Sequence, residues 1–370
     1  MKNKKLVSSL AIFIIVFSFI LISITSCAKK QEPEVIKIGA ILPLTGNLAV
    51  IGEPEKSAIL IAQDAGIKTT KLKIFLEDNK GDPKESINIV NRLYSLEGVK
   101  IYLVSPSPAI LSVIPIIKKF DGILFAITSM PNIGDGQSVF NICPNSKQEM
   151  IQLSKWLNKE GVSQIVFIYP NNDLGQIIYK TFSAEFKGKI IFAEAYQLGT
   201  RDYRSLITKI KNQANNIRWI SFQGYPGDIP IFIKQARELG IKAKVITSMA
   251  TTWPETIKDL SSMNETPIFM VPSVMIEEFQ SPEARNFVCQ FFNKTKKYPN
   301  WDAYYSFEII MMIKKFSEST NYFTMKELKS YLQNETYKGI TGEIRLNSSG
   351  EINVPFIPAT IIKGRIVRLE

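Results

Sequence analysis

The sequence predicts an α/β protein made of two lobes, each a parallel sheet flanked by helices. Short apolar runs, typical of buried strands, alternate with segments of helical periodicity at intervals of roughly 30 residues, the size of a βαβ repeat. The chain has 370 residues, which is enough for two domains of ordinary size. The first unit shows the pattern: an apolar run at residues 35–41, a break with Pro and Gly at Leu42–Asn47, and a helix with Pro54 in its first turn that ends at Gly66.

Strands and helices of the first lobe follow in order. Its strands are predicted at residues 35–41, 71–77, 99–104 and 122–126. Asp82 as N-cap, Pro83 at the first helical position and Glu85 at the third form a complete helix start after the second strand. A further helix is predicted over Ser107–Lys119. Asp78, at the end of the second strand, is interpreted as a structural residue rather than a ligand contact.

A second set of βα units fills the other lobe. Its strands are predicted at residues 164–169, 189–193, 217–222 and 242–247. Ser146 and Glu149 are predicted to form a capping box at the start of its first helix. Two apolar-faced helices, at residues 282–296 and 301–316, are expected to return to the first lobe, and Thr324 with Glu327 is expected to cap a third.

Composition removes several kinds of catalytic and binding site. The histidine count is zero, which excludes Ser-His-Asp and Cys-His catalysis and any zinc site built on imidazole. The formal net charge is +11, but the lysines are scattered, so a solvated basic surface is favoured over nucleic-acid binding. Phosphate-binding glycine motifs and calcium-loop spacings are absent, and no cofactor is expected. Cys143 and Cys289 are interpreted as buried free thiols rather than a disulfide.

The N-terminus has the pattern of a targeting segment. Lys2, Lys4 and Lys5 precede an apolar run at residues 10–22. Residues 24–27 resemble a bacterial lipobox, which implies cleavage before Cys27 and lipidation of its thiol. Residues 1–27 are therefore interpreted as a lipoprotein signal peptide and residues 28–34 as a tether. The alternative is an uncleaved anchor helix, since residues 6–24 nearly reach the length needed to span a bilayer.

Several short motifs, taken in order, carry a family resemblance. Ile36–Gly39, Pro43–Gly46 and Gly52 resemble the opening of the type I solute-binding proteins that serve ABC importers of branched-chain amino acids. The similarity continues through residues 78–83, the Ser107 loop, 169–175, 203–210, 232–240 and 337–342. It implies Rossmann-like lobes joined by three crossings, near residues 140–145, 267–272 and 350–354, and a hinge closure around ligand. The first lobe would comprise residues 35–143 and 273–350, and the second residues 146–272 and 351–370.

Ser107 is the strongest candidate for a binding residue. It follows a strand and opens a helix, so its hydroxyl and nearby N–H groups would converge on an anion. The resemblance implies that this serine binds a ligand carboxylate; the alternative is that it only caps its helix. The resemblance also implies an aromatic contact from Tyr225 in the second lobe, and backbone groups offered by Ser129.

Other positions depart from the amino-acid-binding pattern of the family. Ile51 stands where many relatives place an aromatic residue, Pro131 where a Thr often donates to ligand, and Leu174 where Tyr is common. Met249–Thr252 carries no carboxylate for an α-ammonium group, although relatives usually have one nearby. We therefore expect Ile51 and Met249 to line a pocket that does not prefer zwitterionic amino acids. Three acids could still supply the missing charge: Asp173, Asp228 and Glu255.

The resemblance implies a non-enzymatic, leucine-binding-protein-like lipoprotein of the cell envelope, facing the periplasm or the cell exterior. It would bind a branched-chain or apolar amino acid, or a related carboxylate or amide, and deliver it to an ABC permease. Two other classes stay open. One is a non-transport lipoprotein of the same fold that acts by protein contact, similar to activators of cell-wall synthases, or that senses a ligand. The other is a carboxylate-based hydrolase, which needs two facing acids in the cleft.

Overall fold

A computed structural model describes residues 35–65, 71–213, 217–320 and 323–369. The predicted signal peptide, the tether, the lipidation site Cys27 and the helix end at Gly66 lie outside these ranges. Within them, no helix is both long enough and apolar enough to cross a membrane.

The described residues contain short parallel strands connected by helices. The strands are β1 (Val35–Leu42), β2 (Lys71–Asp78), β3 (Ile101–Val104), β4 (Ile123–Ala126), β5 (Val139–Phe140), β6 (Gln164–Pro170), β7 (Lys189–Tyr196), β8 (Trp219–Phe222), β9 (Lys244–Thr247), β10 (Ile268–Pro272), β11 (Tyr337–Gly339), β12 (Gly342–Ile344), β13 (Phe356–Ile362) and β14 (Arg365–Arg368). The α-helices are α1 (Ala49–Asp64), α2 (Pro83–Arg92), α3 (Ser107–Lys119), α4 (Ser146–Lys159), α5 (Asp173–Glu185), α6 (Arg204–Gln213), α7 (Asp228–Glu238), α8 (Pro254–Ser262), α9 (Pro282–Thr295), α10 (Trp301–Ser319) and α11 (Met325–Asn334).

Two separate sheets define the two lobes. The first has the strand order β2-β1-β3-β4-β5, with every pairing parallel. The second has the order β14-β13-β10-β9-β8-β6-β7 and is parallel from β10 to β7, whereas β13 pairs antiparallel with both β10 and β14. The predicted α/β architecture of parallel sheets, with two terminal strands in the second sheet, is confirmed. The residue boundaries of the lobes stay predictions. Parallel strands leave their carboxyl-terminal loops on one edge of each sheet, where open α/β sheets bind ligands.

The connections between the lobes lie close together. A bridge pairs Asn141, just after β5, with Glu351. The side chain of Gln148 on α4 donates to the carbonyl of Ile352 at 2.6 Å and accepts the N–H of Val354 at 3.0 Å. The first and third connections are thus tied to each other. The segment predicted as the second connection, residues 267–272, is instead β10 of the second sheet, and the chain leaves that sheet only after Pro272.

Helix α1 begins earlier than the sequence suggests. Its first residue is Ala49, so Pro54 lies inside the helix rather than in its first turn. A proline this close to the start removes only one helical hydrogen bond, and packing overrides that loss. A Cβ added at Gly52 would overlap the carbonyl oxygen of Pro43, so α1 approaches the loop after β1 as closely as a glycine permits.

Two acidic side chains fasten loops of the first lobe. Asp78 accepts the N–H groups of Leu44 at 2.9 Å and Lys80 at 2.9 Å, and the hydroxyl of Thr45 at 2.5 Å, which supports its structural interpretation. Glu308, buried on α10, accepts both the N–H and the hydroxyl of Thr341 at 2.6 and 2.9 Å. These bonds dock the hairpin of β11 and β12 on the helix.

Candidate functional site

Ser107 joins two loops at the carboxyl edge of the first sheet. Its Oγ lies 2.7 Å from Oγ1 of Thr128, in the loop that follows β4. Thr128 Oγ1 also accepts the N–H of Met130 at 3.0 Å. The N-cap of α3 is Pro106, which makes no side-chain cap bond. The alternative in which Ser107 only caps its helix is therefore wrong, and its half-buried hydroxyl belongs to a polar pair between two strand ends.

The loop that carries Ser129 is fixed from two sides. Asn141, almost fully buried, donates its side-chain amide to the carbonyl of Thr128 at 3.2 Å. The carbonyl of Ser129 accepts the N–H of Ser146 at 2.9 Å. This oxygen is thus engaged with the start of α4, so a ligand would have to use the other backbone group of Ser129.

The second lobe presents Tyr225 and Met249 on neighbouring loops. Tyr225 follows β8, is 36% exposed, and accepts a hydrogen bond from the side chain of Asn172 at 3.3 Å. Met249 opens a short 3₁₀ helix after β9 and is buried. The hydroxyl of Ser248 donates to the carbonyl of Gly224 at 2.7 Å and links the two loops. Ile51 is half-buried in the first turn of α1, in the first lobe.

A carboxyl group does reach the Met249 loop, from an element that the sequence analysis did not connect with it. Glu149 on α4 accepts the backbone N–H of Met249 at 2.7 Å. The predicted capping box of Ser146 and Glu149 is wrong, because the N-cap of α4 is Asn145, whose side chain accepts the N–H of Gln148. Burial raises the pKa of Glu149 to about 8, against the lowering effect of the bond from Met249. Burial therefore favours the protonated form of Glu149 in the ligand-free protein.

The three acids considered as charge partners have other surroundings. Asp173 is exposed at the start of α5. Asp228 is buried and accepts the hydroxyl of Tyr196 at 2.9 Å. Glu255 forms an ion pair with Lys297. In the described structure, none of these contacts brings a free carboxylate to Met249–Thr252.

Buried polar atoms without a hydrogen-bond partner lie near strand ends of the second lobe and at the start of α10. They include Gln223 Oε1 after β8, Thr252 Oγ1 and Trp253 Nε1 after β9, and Trp301 Nε1 at the start of α10. The rings of Trp253 and Trp301 meet edge to face, with centroids 5.9 Å apart, and bring the two lobes into contact. Because buried polar groups are costly when unpaired, a hydrogen-bond partner would stabilise these atoms.

An acidic pair lies beneath the Ser105–Ser107 loop. Glu55 on α1 is fully buried beside Ser105, whose hydroxyl has a lowering effect on the pKa of Glu55. Burial, reinforced by nearby Asp302, raises the pKa of Glu55 well above its usual range, and burial does the same for Asp302. Cys143 is buried beside them and Cys289 is exposed; both are free, so the prediction of two buried thiols is wrong for Cys289.

Comparison with known proteins decides the family. A model of the family described as periplasmic binding protein matches residues 35–364. The chain belongs to the periplasmic binding protein family. Membership implies an extracytoplasmic location, in agreement with the resemblance of the opening motifs.

The relatives of this periplasmic binding protein are distant. Leu/Ile/Val-binding protein homolog 3 of Brucella melitensis is 23% identical over 224 residues, which are 57% of this chain and 60% of the relative. The chain thus matches less than two thirds of that relative's length. The leucine-, isoleucine-, valine-, threonine- and alanine-binding protein of Pseudomonas aeruginosa is 19% identical over 336 residues, 87% of this chain and 88% of the relative.

Solved structures share the fold across nearly the whole chain. The branched-chain amino acid transporter substrate-binding protein LivJ of Streptococcus pneumoniae, in complex with isoleucine, aligns with a TM-score of 0.79 and 19% identity, covering 90% of this chain and 98% of that one. A solute-binding protein of R. palustris in complex with 4-hydroxybenzoate aligns with a TM-score of 0.76 and 16% identity, covering 91% and 96%. Solved structures with this fold therefore include one in complex with an amino acid and one in complex with an aromatic carboxylate.

Proposed function

We propose that this protein captures a small organic solute between its two lobes and delivers it to an ABC permease. The observation that carries the proposal is a set of polar groups on loops of both lobes: the hydroxyl pair of Ser107 and Thr128 in the first, and the buried, unpaired Gln223 and Thr252 in the second. A solute placed between them would satisfy groups on both sides at once. This differential contact is what drives a hinge closure.

The first lobe is suited to a carboxylate. The hydroxyl pair of Ser107 and Thr128 stands at the N-terminal end of α3, where a helix dipole and free N–H groups favour a negative charge. Pro106 and Pro108 have no backbone N–H groups, so fewer amides of this loop can donate to a ligand. The hydroxyls of Ser107 and Thr128 are therefore the main donors.

We further propose that the preferred solute lacks an α-amino group. Burial favours the protonated form of Glu149, the carboxyl group bonded to the Met249 loop, so ionising it to pair with an ammonium group would cost free energy. Burial of an unpaired ammonium group costs several kcal/mol even after relaxation. By comparison, burial of a whole apolar side chain such as that of Ile51 contributes only about 1.5–3 kcal/mol of favourable free energy. An apolar acid or amide therefore suits this pocket better than a zwitterion.

A ligand panel tests both parts of this proposal. Amino acids, organic acids and amides are screened for a rise in Tm, and leucine then competes directly with 4-methylpentanoate, its deaminated analogue. We expect the carboxylate to bind more tightly. Tighter binding of leucine, lost in Glu149→Gln, Asp173→Asn or Asp228→Asn, would contradict the ligand class and identify the ammonium partner. No shift with any compound class would contradict solute capture itself.

The membrane attachment is proposed to be a lipid on Cys27. Acyl chains bind a bilayer with about 0.8 kcal/mol per buried CH₂, so several chains on one residue hold the protein firmly. We expect Cys27→Ala to leave the precursor unprocessed or to release the protein from the membrane fraction. Cleavage at the same bond with continued acylation would show that the lipobox interpretation is wrong.

A further inference from the structure

One cavity of the described structure lies beside the solute site, with which it shares Thr252. Its volume is about 670 Å³, and it is enclosed by α8, α9 with the loop that follows it, and the turn between β13 and β14. None of the five predicted ligand-binding residues lines it. Small-molecule sites typically have volumes of roughly 300–1,000 Å³, so this cavity has the size of one.

Both lobes contribute walls to this cavity. Helix α8 contacts β13, and β14 is the edge strand of the second sheet. Helix α9 packs on α1 of the first lobe. A molecule in the cavity would therefore touch both lobes, independently of the loops that carry Ser107 and Tyr225.

The cavity has an apolar wall that remains open to solvent. Phe292 and Tyr298 line it with their ring centroids 5.1 Å apart, and they are 38% and 53% exposed. Ile257 and Val288 extend the apolar surface on opposite walls. Since burial of apolar area contributes about 25 cal/mol per Å², covering these side chains would supply much of a ligand's binding free energy.

The charged groups of the cavity are mostly positive. Lys258, Arg285 and Arg365 line it, against one acid, Glu277. Glu277 is already paired with Arg365 at 3.1 Å. The excess of positive charge at the edge of an apolar wall favours a ligand with an apolar body and an anionic head.

We propose that this cavity is a second binding site, which takes a soluble amphipathic organic anion. The apolar body lies against Phe292 and Tyr298, and the anionic head lies near Lys258 and Arg285. The cavity also contains Cys289, an exposed free thiol, whereas Cys143 is buried. Alkylation of Cys289 therefore reports on occupancy, with Cys143 as an unreactive reference in the same molecule.

Decanoate and its uncharged counterpart, decan-1-ol, serve as probes on the full chain. We expect decanoate to bind in calorimetry and to slow iodoacetamide alkylation of Cys289 several-fold, measured by mass spectrometry of the peptide. Equal binding of decan-1-ol, or no binding of decanoate at millimolar concentration, would overturn the proposal.

Variants place the probe in the cavity and separate this site from the solute site. Val288→Trp and Asn293→Trp each place a large ring in the cavity and should each abolish binding. Asn293 is exposed, so its variant remains a valid test even if Val288→Trp fails to fold. Arg285→Glu should weaken binding at least fivefold, and Lys294→Glu, on the same helix outside the cavity, should leave it unchanged. Ser107→Ala should also bind decanoate normally. Loss of binding in Ser107→Ala, or wild-type binding in both Trp variants, would overturn the assignment.

Discussion

Burial decides which acidic side chains carry charge in this protein. Glu149 and Glu308 lie in the interior, where desolvation raises their pKa values to about 8 and about 7 against the hydrogen bonds that they accept. Asp135 is the opposite case: partial burial alone would raise its pKa, but Lys118 and three backbone N–H groups lower it to about 2. Glu149 and Glu308 therefore titrate near neutral pH, whereas Asp135 is negatively charged there.

The stability of the protein should consequently fall as the pH rises through neutrality. The folded state keeps a proton on Glu149 up to about pH 8, whereas the unfolded chain loses it near the usual value of 4.5. Stability from this group is complete below pH 4.5 and is lost as the pH rises to 8, with a slope of up to about 1.4 kcal/mol per pH unit.

Glu149→Gln should remove this part of the pH dependence and keep an acceptor for the N–H of Met249. Urea unfolding at pH 5, 7 and 9 measures the free energy of unfolding of both proteins. We expect the variant to gain stability relative to the wild type as the pH rises. The Glu308 contribution is common to both and cancels in the difference. A difference independent of pH would show that Glu149 is charged in the folded state.

Single residues differ in how far the sequence reveals their role. The position of Ser107 between β3 and α3 was predictable, because a serine between an apolar run and a helical segment is a local pattern, whereas its binding role stays a prediction. The contact of Glu149 with Met249 joins residues 100 positions apart, and the same residue matches a local capping pattern that Asn145 in fact fulfils. Trp253 and Trp301 show no periodic signal, and only the approach of two lobes gives them a role.

The first βα unit of each lobe is built with the same close contact. A Cβ at Gly52 would overlap the carbonyl of Pro43, and a Cβ at Gly175 would overlap the carbonyl of Pro170. In both cases a proline at or near the strand end meets a glycine in the early part of the following helix. The two lobes thus position their first helices in the same way without an exact sequence repeat.

Gly52→Ala and Gly175→Ala should each lower the free energy of unfolding by about 1–3 kcal/mol, the usual cost of overpacking. Alanine is otherwise favoured over glycine in helices by about 1 kcal/mol, so any net loss comes from the contact. Gly227→Ala is the control, because its Cβ would meet nothing closer than 3.8 Å; it should change stability by less than about 0.5 kcal/mol. Neutral effects at Gly52 and Gly175 would mean that these helices shift freely.

Elements were easier to predict than their partners. The apolar runs of β1, β6 and β8 and the start of α2, with Asp82 accepting the N–H of Glu85 at 2.9 Å, follow from local pattern and capping. The run that forms β10 was expected to be a lobe connection, since a short apolar segment that ends in proline does not reveal the sheet it joins. Its pairing with β9 and β13, which come from other parts of the chain, places this run in the second sheet.

On the scale of the whole molecule, the two lobes meet through a small set of specific contacts. Gln148 ties the first connection to the third, and Trp253 meets Trp301 across the lobes. The unpaired polar atoms lie on both sides of this contact. The central claim is therefore that one solute is held by strand-end loops of both lobes, and that neither lobe suffices alone.

Calorimetric titration of the best solute from the panel tests this claim most directly, with the wild type, Ser107→Ala and Tyr225→Ala. Ser107→Ala should cost about 1.5–3 kcal/mol, roughly tenfold or more in Kd, as expected for a hydrogen bond to a charged group. Tyr225→Ala should cost more than about 1 kcal/mol. Ser112 lies on the same helix as Ser107, and its hydroxyl donates to the carbonyls of Pro83 on α2 and Ala109 on α3; Ser112→Ala should bind as the wild type does. Wild-type affinity in either Ser107→Ala or Tyr225→Ala would contradict the account, because the solute would then be held by one lobe or at another site.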